Sequence, residues 1–408
     1  MTNRAGLLRN RSFRLLWSGH VVSSFGDALT SLALLLIAQR LTGSTTAVAA
    51  TAIAIALPQL LVGLPAGVLV DRWNPRRVMI ASDLARAVLV LGFIAVVTAD
   101  RMWLLYTLAF VQSSVGTFFN PARTALMPEL VPPERLLPAN SLLEMSRVVA
   151  GVAGAATAGA LASTRSDLSI VFVADATTFL ASAALITRIA GRAPTRIQAA
   201  RGHVLSELGS GMRLILGSRI LFGVVLAGAV AMLGLGAVNV LLVPFVVEDL
   251  GASEAWFGAL EAALVTAMVI AGSLLALFAA RTRPTHLISA GAIGLGASVA
   301  AMAVCDQAWH LMILLFAAGW FVTPVQASAT TILQTAVPAG LRGRAQATLA
   351  TFTSAASLVS MAVAGLAAGA AGIRSVFVVA GFIVVAAGVA SAAAFRGTQS
   401  LRPALGTR

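Results

Sequence analysis

Seven ionisable side chains interrupt runs otherwise long and apolar enough to cross a bilayer: Asp27, Asp83, Arg86, Glu144, Arg147, Asp175 and Glu261. His20 is an eighth titratable group in the same setting. A charge in hydrocarbon is costly, so such residues face a bundle interior, pair with one another, and mark ion or proton pathways. Asp27 leads the set. It lies about 15 residues into the first apolar run, roughly 22 Å along a helix rising 1.5 Å per residue. A carboxylate at that depth binds a proton or a cationic substrate in competition, which suffices for antiport. The plainer alternative is a packing carboxylate bonded to Ser23, Ser24 or Thr30. Glu144 and Arg147 are three apart, on one helix face. Asp83 and Arg86 share that spacing and read as a local salt bridge supporting the loop at Asp71. Asp175 reads as structural, bonded to Thr177, Thr178 or a neighbouring helix. His20 reads as a packing residue, with proton transfer below Asp27 as the alternative.

The elements that must position these groups follow from composition. The chain has 408 residues, of which 59% are hydrophobic and only 11% charged. A soluble domain is about a quarter charged. A spanning helix needs about 20 apolar residues. Segments at 12–39, 46–70, 77–98, 102–126, 136–162, 168–190, 218–246, 254–280, 284–305, 309–336, 341–371 and 373–396 meet that need. Pro58, Pro244 and Pro324 fall inside spans and predict kinks at gates. The expected domains are a six-helix bundle over 1–190, a cytoplasmic linker over 191–217 and a second bundle over 218–408. Part of the linker, 205–216, reads as an amphipathic surface helix.

All 28 basic residues are arginine and the net charge is +13. The arginines cluster in loops rather than on one polar face, so nucleic acid is not the expected partner; the bilayer is. With the amino terminus inside, 22 arginines fall in inner segments and 4 in outer loops. Positive charge in short loops stays cytoplasmic, so both termini are expected there. The single cysteine, Cys305, excludes an internal disulfide and a cysteine metal cluster. No nucleophile–base pair, metal cluster or phosphate-binding glycine loop stands out. The chain is therefore not expected to be an enzyme or to hold a cofactor, and a proton gradient is its expected energy source. It is expected to act as a monomer.

A shift of 206 residues places Val131-Pro132 on Val337-Pro338, Ala139 on Ala345, Leu143 on Leu349, Gly159 on Gly365 and Arg77 on Arg283. Six spans separate each pair, so the two halves share one orientation and are related by an axis along the membrane normal.

The loop Gly67-Val68-Leu69-Val70-Asp71-Arg72-Trp73-Asn74-Pro75-Arg76-Arg77 resembles the signature between the second and third helices of the major facilitator superfamily. Phe118-Phe119-Asn120-Pro121-Ala122-Arg123, the stretch Ala125 to Pro132, Phe13-Arg14-Leu15-Leu16-Trp17 and Ser24-Phe25-Gly26-Asp27 are similar to its bacterial exporter branch of enterobactin, macrolide and multidrug efflux proteins. The resemblance implies an all-α membrane protein of twelve transmembrane helices, in two six-helix bundles related by a pseudo-two-fold axis. It implies export of lipophilic drugs or antibiotics across the bacterial inner membrane by alternating access. A siderophore, another endogenous metabolite or a lipid-type molecule is the alternative cargo.

The resemblance also assigns expected roles. Gly67 would let helices approach closely, while Asp71, Arg72, Arg76 and Arg77 would clamp a cytoplasmic gate. The first, fourth, seventh and tenth spans would line the cavity, offering Asp27, His20, Gln112, Asn239 and Gln326. Phe110, Phe118, Phe119, Met232, Trp320 and Phe321 would supply apolar surface, suiting amphipathic substrates. The fifth and eighth spans would pack together, so an Arg147–Glu261 bridge is expected beside the static Glu144–Arg147 alternative. Drug antiporters of the superfamily often carry a proline in the fifth span; Ala155 stands there, within the glycines 151, 154 and 159.

Overall fold

The computed structural model describes residues 7–70, 72–96, 98–165, 167–189, 212–213, 217–278, 283–337 and 342–395. Most of the expected linker, including most of 205–216, and Asp71 lie outside these residues. Two compact units form: Met1–Arg201 with Val243–Ala262, and Gly202–Leu242 with Ala263–Arg408.

The first unit opens with α1 (Arg11–Thr42), α2 (Thr45–Leu61), α3 (Gly63–Val70) and α4 (Pro75–Leu91). It continues with α5 (Met102–Gly116), α6 (Phe119–Leu130), α7 (Leu136–Thr164) and α8 (Ser169–Ile186). Then follow α9 (Arg219–Pro244), α10 (Trp256–Phe278), α11 (Pro284–Ala301), α12 (Ala308–Ala336), α13 (Arg342–Ala371) and α14 (Ile373–Phe395). Eleven helical segments among the described residues are long and apolar enough to cross a membrane. The expected second span is instead divided between α2 and α3. The twelve-span, two-bundle layout of the major facilitator fold holds.

Proline sets the two interruptions in the first unit. Pro65 has no N–H for the carbonyl four residues back, and its ring crowds that carbonyl. The helix accordingly breaks at Val62, whose N–H bonds the Pro58 carbonyl at 2.7 Å. Pro121 repeats this: α5 ends at Gly116 and α6 begins at Phe119, with the Phe118 N–H tightened onto the Val115 carbonyl at 3.3 Å. The expected prolines behave variously. Pro58 and Pro324 stay within α2 and α12, while Pro244 ends α9 where a π-helical turn, Phe245–Asp249, takes over. With Ala155 in place of proline, α7 runs unbroken for 29 residues.

Polar caps fix the helix ends. Asn10 accepts the Phe13 N–H at 3.2 Å and donates to the Leu130 carbonyl at 2.7 Å, capping α1 and α6 together. Asn74 caps α4 just before Pro75, a pre-organised first residue. Close approach holds α1 against α7 and α8. A Cβ on Gly154 would lie 2.4 Å from the Phe25 carbonyl, and one on Gly26 would lie 2.0 Å from Asp175. Small residues permit such contacts where lipid offers no hydrophobic drive.

The internal repeat has a structural counterpart inside each unit. Met127, Val131, Ala139 and Leu143 are buried together in the first. Leu333, Val337, Ala345 and Leu349, 206 residues on, are buried together in the second.

Candidate functional site

α1, α4 and α8 bring three carboxylates around one guanidinium. Arg86 Nη1 donates to both oxygens of Asp27, at 2.9 and 3.2 Å, and Nη2 donates to Asp83 at 2.8 Å. The Arg86 side chain is 6% exposed and that of Asp83 is 0% exposed, but 45% of the Asp27 side chain remains open. The Arg86 guanidinium also lies 4.1 Å from the Phe179 ring centre, a desolvated cation–π contact. Asp175 completes the cluster. It accepts from Thr30 at 2.6 Å and Thr178 at 3.0 Å, as expected of a structural carboxylate.

Asp27 opens onto a cavity of about 240 Å³ built by α1, α2, α4 and α5. Ser31, Gln59, Gln112, Ser113 and Thr117 surround it with hydroxyls and amides, while Leu34, Ile55 and Ala109 supply apolar wall. Gln112 is buried with its amide oxygen unbonded. Gln112 therefore shares this cavity, whose walls all come from the first unit. The Arg86 pair with Asp83 forms, but the guanidinium turns into the bundle and lines the cavity rather than serving the loop. The spacing signal was present, yet nothing in one helix's sequence says which neighbour it faces.

A second cluster lies beyond Phe119. Arg123 is buried on α6. It donates from Nη1 to His20 Nε2 at 2.9 Å and from Nη2 to Glu144 at 3.2 Å. Arginine only donates, so His20 Nε2 accepts and the ring is neutral with its proton on Nδ1. Glu144 also accepts from Arg147 at 2.9 Å. Phe119 stacks on His20 at 6.0 Å between ring centres and lies 5.6 Å from the Arg86 guanidinium. It is a buried partition between the clusters. His20 and Phe119 thus belong to the packed interior and do not line the Asp27 cavity.

Other expected residues are placed as follows. Arg147 pairs with Glu144 and, among the described residues, makes no ion pair with Glu261, so the bridge is not formed in this structure. Both Glu144 and Arg147 are about half exposed, so the static pair costs little desolvation. Glu261 is half-buried in α10. Asn239, Gln326 and Trp320 are exposed in the second unit. Phe321 packs its ring against Gly294 of α11. Among the described residues, a Cβ on Gly67 would meet nothing within 4 Å. Arg76 reaches back to α8, donating to the carbonyls of Ile186, at 3.1 Å, and Thr187. A guanidinium there satisfies orphan carbonyls at a helix C-terminus.

At the far end of α1, Arg40 grips Glu254 through two nitrogens, at 2.9 and 2.5 Å, and donates to the carbonyls of Ala162 and Arg165. Gln39 donates to Glu248. A Cβ on Gly159 would lie 2.4 Å from the Glu254 carbonyl. This clamp ties the segment Val243–Ala262 to α1 and α7. Spacing along the chain does not announce it, since its side-chain pairs join residues more than 200 positions apart.

A family described as transmembrane secretion effectors of major facilitator type matches residues 3–400. The chain belongs to this family. Macrolide efflux protein A of Streptococcus pyogenes is 23% identical over 377 residues, covering 91% of this chain and 93% of that protein. The uncharacterized MFS-type transporter YfiS of Bacillus subtilis (strain 168) is 26% identical over 397 residues, covering 94% and 93%. A crystal structure of a bacterial homologue of the iron transporter ferroportin, in an inward-facing state, superposes with TM-score 0.72 at 17% identity, covering 97% of this chain and 99% of that one. At that identity the likeness is one of fold. The chain is a multi-pass major facilitator transporter, and its bacterial relatives place it in a cell membrane.

Proposed function

We propose that this transporter exports lipophilic, amine-bearing drugs or antibiotics from the cytoplasm in exchange for protons. One observation carries the reading: Asp27 is a half-open carboxylate on a polar cavity, held from behind by Arg86. Three carboxylates face one guanidinium there. That excess of acid leaves Asp27, the open carboxylate of the three, room for a proton or a substrate ammonium. A proton on Asp27 weakens its hold on Arg86, which remains anchored by Asp83. A substrate ammonium would compete for the same carboxylate. The apolar walls beside the amides and hydroxyls suit an amphipathic molecule. The macrolide efflux relative supports the direction and the substrate class. The arginine distribution supports cytoplasmic termini. No cofactor is required, and a single chain contains the whole Asp27 cluster, which supports a monomer.

The test is accumulation of a lipophilic cation and of a macrolide in cells expressing wild type or Asp27→Asn. Wild type lowers accumulation and Asp27→Asn does not, although both reach the membrane in equal amounts. In everted vesicles, adding substrate to wild type dissipates a preformed pH gradient, and adding it to Asp27→Asn leaves the gradient intact. Equal accumulation in both cell types, across several cations and macrolides, removes the proposal.

A further inference from the structure

We infer that the groove between α4 and the α5–α6 junction is a binding site for an anionic phospholipid of the adjoining leaflet. A cavity of about 600 Å³ opens there, bordered by Arg72, Trp73, Arg77, Ala81, Val115 and Phe118. Its rim is cationic. Among the described residues neither the Arg72 nor the Arg77 side chain has a hydrogen-bond or ion-pair partner, whereas Arg76 beside them is fully engaged on α8. Its floor is aromatic: Trp73, half exposed, stacks on Phe118 at 6.3 Å with 22° between the planes. Indole rings favour the headgroup level of a membrane.

The groove does not stop at the rim. Arg77, Ala81, Leu84 and Val88 follow one another at helical spacing on a single face of α4, and the last three are exposed. Val111 and Val115 form a matching, partly exposed stripe on α5. Two guanidiniums without a partner among the described residues therefore sit at one end of an exposed apolar channel between α4 and α5. That order, charge above and hydrocarbon below, matches a phosphate headgroup with its acyl chain. Basic pockets between spanning helices bind anionic headgroups in this way. A soluble phosphate would use the rim but leave the channel unexplained. The site is separate from the Asp27 cavity and does not depend on what that cavity carries.

The test uses the purified full chain in detergent and native mass spectrometry. Dioleoyl phosphatidylglycerol is titrated against dioleoyl phosphatidylcholine. Wild type retains phosphatidylglycerol selectively. R72Q/R77Q binds it about thirtyfold more weakly, the loss expected for two arginines at a lipid surface. R9Q/R11Q removes equal charge from exposed arginines at the start of α1 and leaves binding unchanged. A81W keeps both guanidiniums, fills the channel and also weakens binding. Glycerol 3-phosphate, which has a headgroup phosphate but no chains, competes poorly. Equal retention of both lipids, undiminished binding by R72Q/R77Q or A81W, an equal loss in R9Q/R11Q, or full competition by glycerol 3-phosphate would each overturn the assignment.

Discussion

Replacing Arg86 by methionine separates the two jobs of the acidic cluster. The guanidinium serves two carboxylates in very different surroundings. Asp83 has no exposed surface, and losing its cation leaves a buried charge without compensation. Breaking such a pair costs about 3–5 kcal/mol. Asp27 is 45% exposed to its cavity, where an ion pair contributes only about 0–1 kcal/mol. Arg86→Met should therefore lower unfolding stability by about 3–5 kcal/mol, nearly all of it through Asp83. Adding Asp83→Asn removes the stranded charge and should recover most of that loss. Asp27→Asn alone, with Arg86 still held by Asp83, should cost about 1 kcal/mol or less while abolishing coupled transport. The assay is a denaturing-detergent titration of wild type, these three variants and Asp83→Asn alone, followed by tryptophan fluorescence, and it yields a double-mutant coupling energy for Asp83 and Arg86. The reasoning fails if Asp83→Asn does not rescue Arg86→Met. It fails equally if Asp27→Asn destabilises as much as Arg86→Met.

Four other outcomes follow from the geometry. Gly26→Ala forces a methyl to 2.0 Å from Asp175 and 2.2 Å from Thr178, and should cost about 1–3 kcal/mol by overpacking. Gly67→Ala, in open space within a helix, should instead gain about 0.5–1 kcal/mol; thermal unfolding of the pair checks both signs. Thr30→Val removes the 2.6 Å bond to Asp175 and should cost about 1.5–3 kcal/mol, read from the same titration. Arg40→Gln frees Glu254 together with two carbonyls at the end of α7, so a cysteine placed at residue 254's neighbour Ser253 should label faster in the variant. Unchanged labelling would mean that the clamp does not hold that segment.

Much of the architecture was legible without coordinates. Hydrocarbon thickness dictates span length, so apolar runs translate directly into helices. The 206-residue repeat was visible as a few matched residues, and the same residues prove to be equivalent core positions: Val131 with Val337, and Ala139 with Ala345. The helix breaks at Val62 and Thr117 were available from Pro65 and Pro121. Pro58, Pro244 and Pro324, deeper in the spans, give the same sequence signal without such a break within a span.

The charged residues divide more sharply. Pairs within a helix follow from spacing alone, because positions three apart share a face. Asp83–Arg86 and Glu144–Arg147 both formed as that rule requires. Pairs between helices depend on how each helix is rotated about its axis and how closely it approaches its neighbours. Asp27 with Arg86, Thr30 with Asp175, and Arg123 with His20 and Glu144 are of this kind. Small residues such as Gly26 and Gly154 set those approaches, and their effect appears only once the partner helix is in place. The order of residues alone dictates that charge is carried into the membrane, and on which helices. The tertiary packing decided that Arg86 would hold Asp27 at a cavity, and that Arg147 would stay with Glu144.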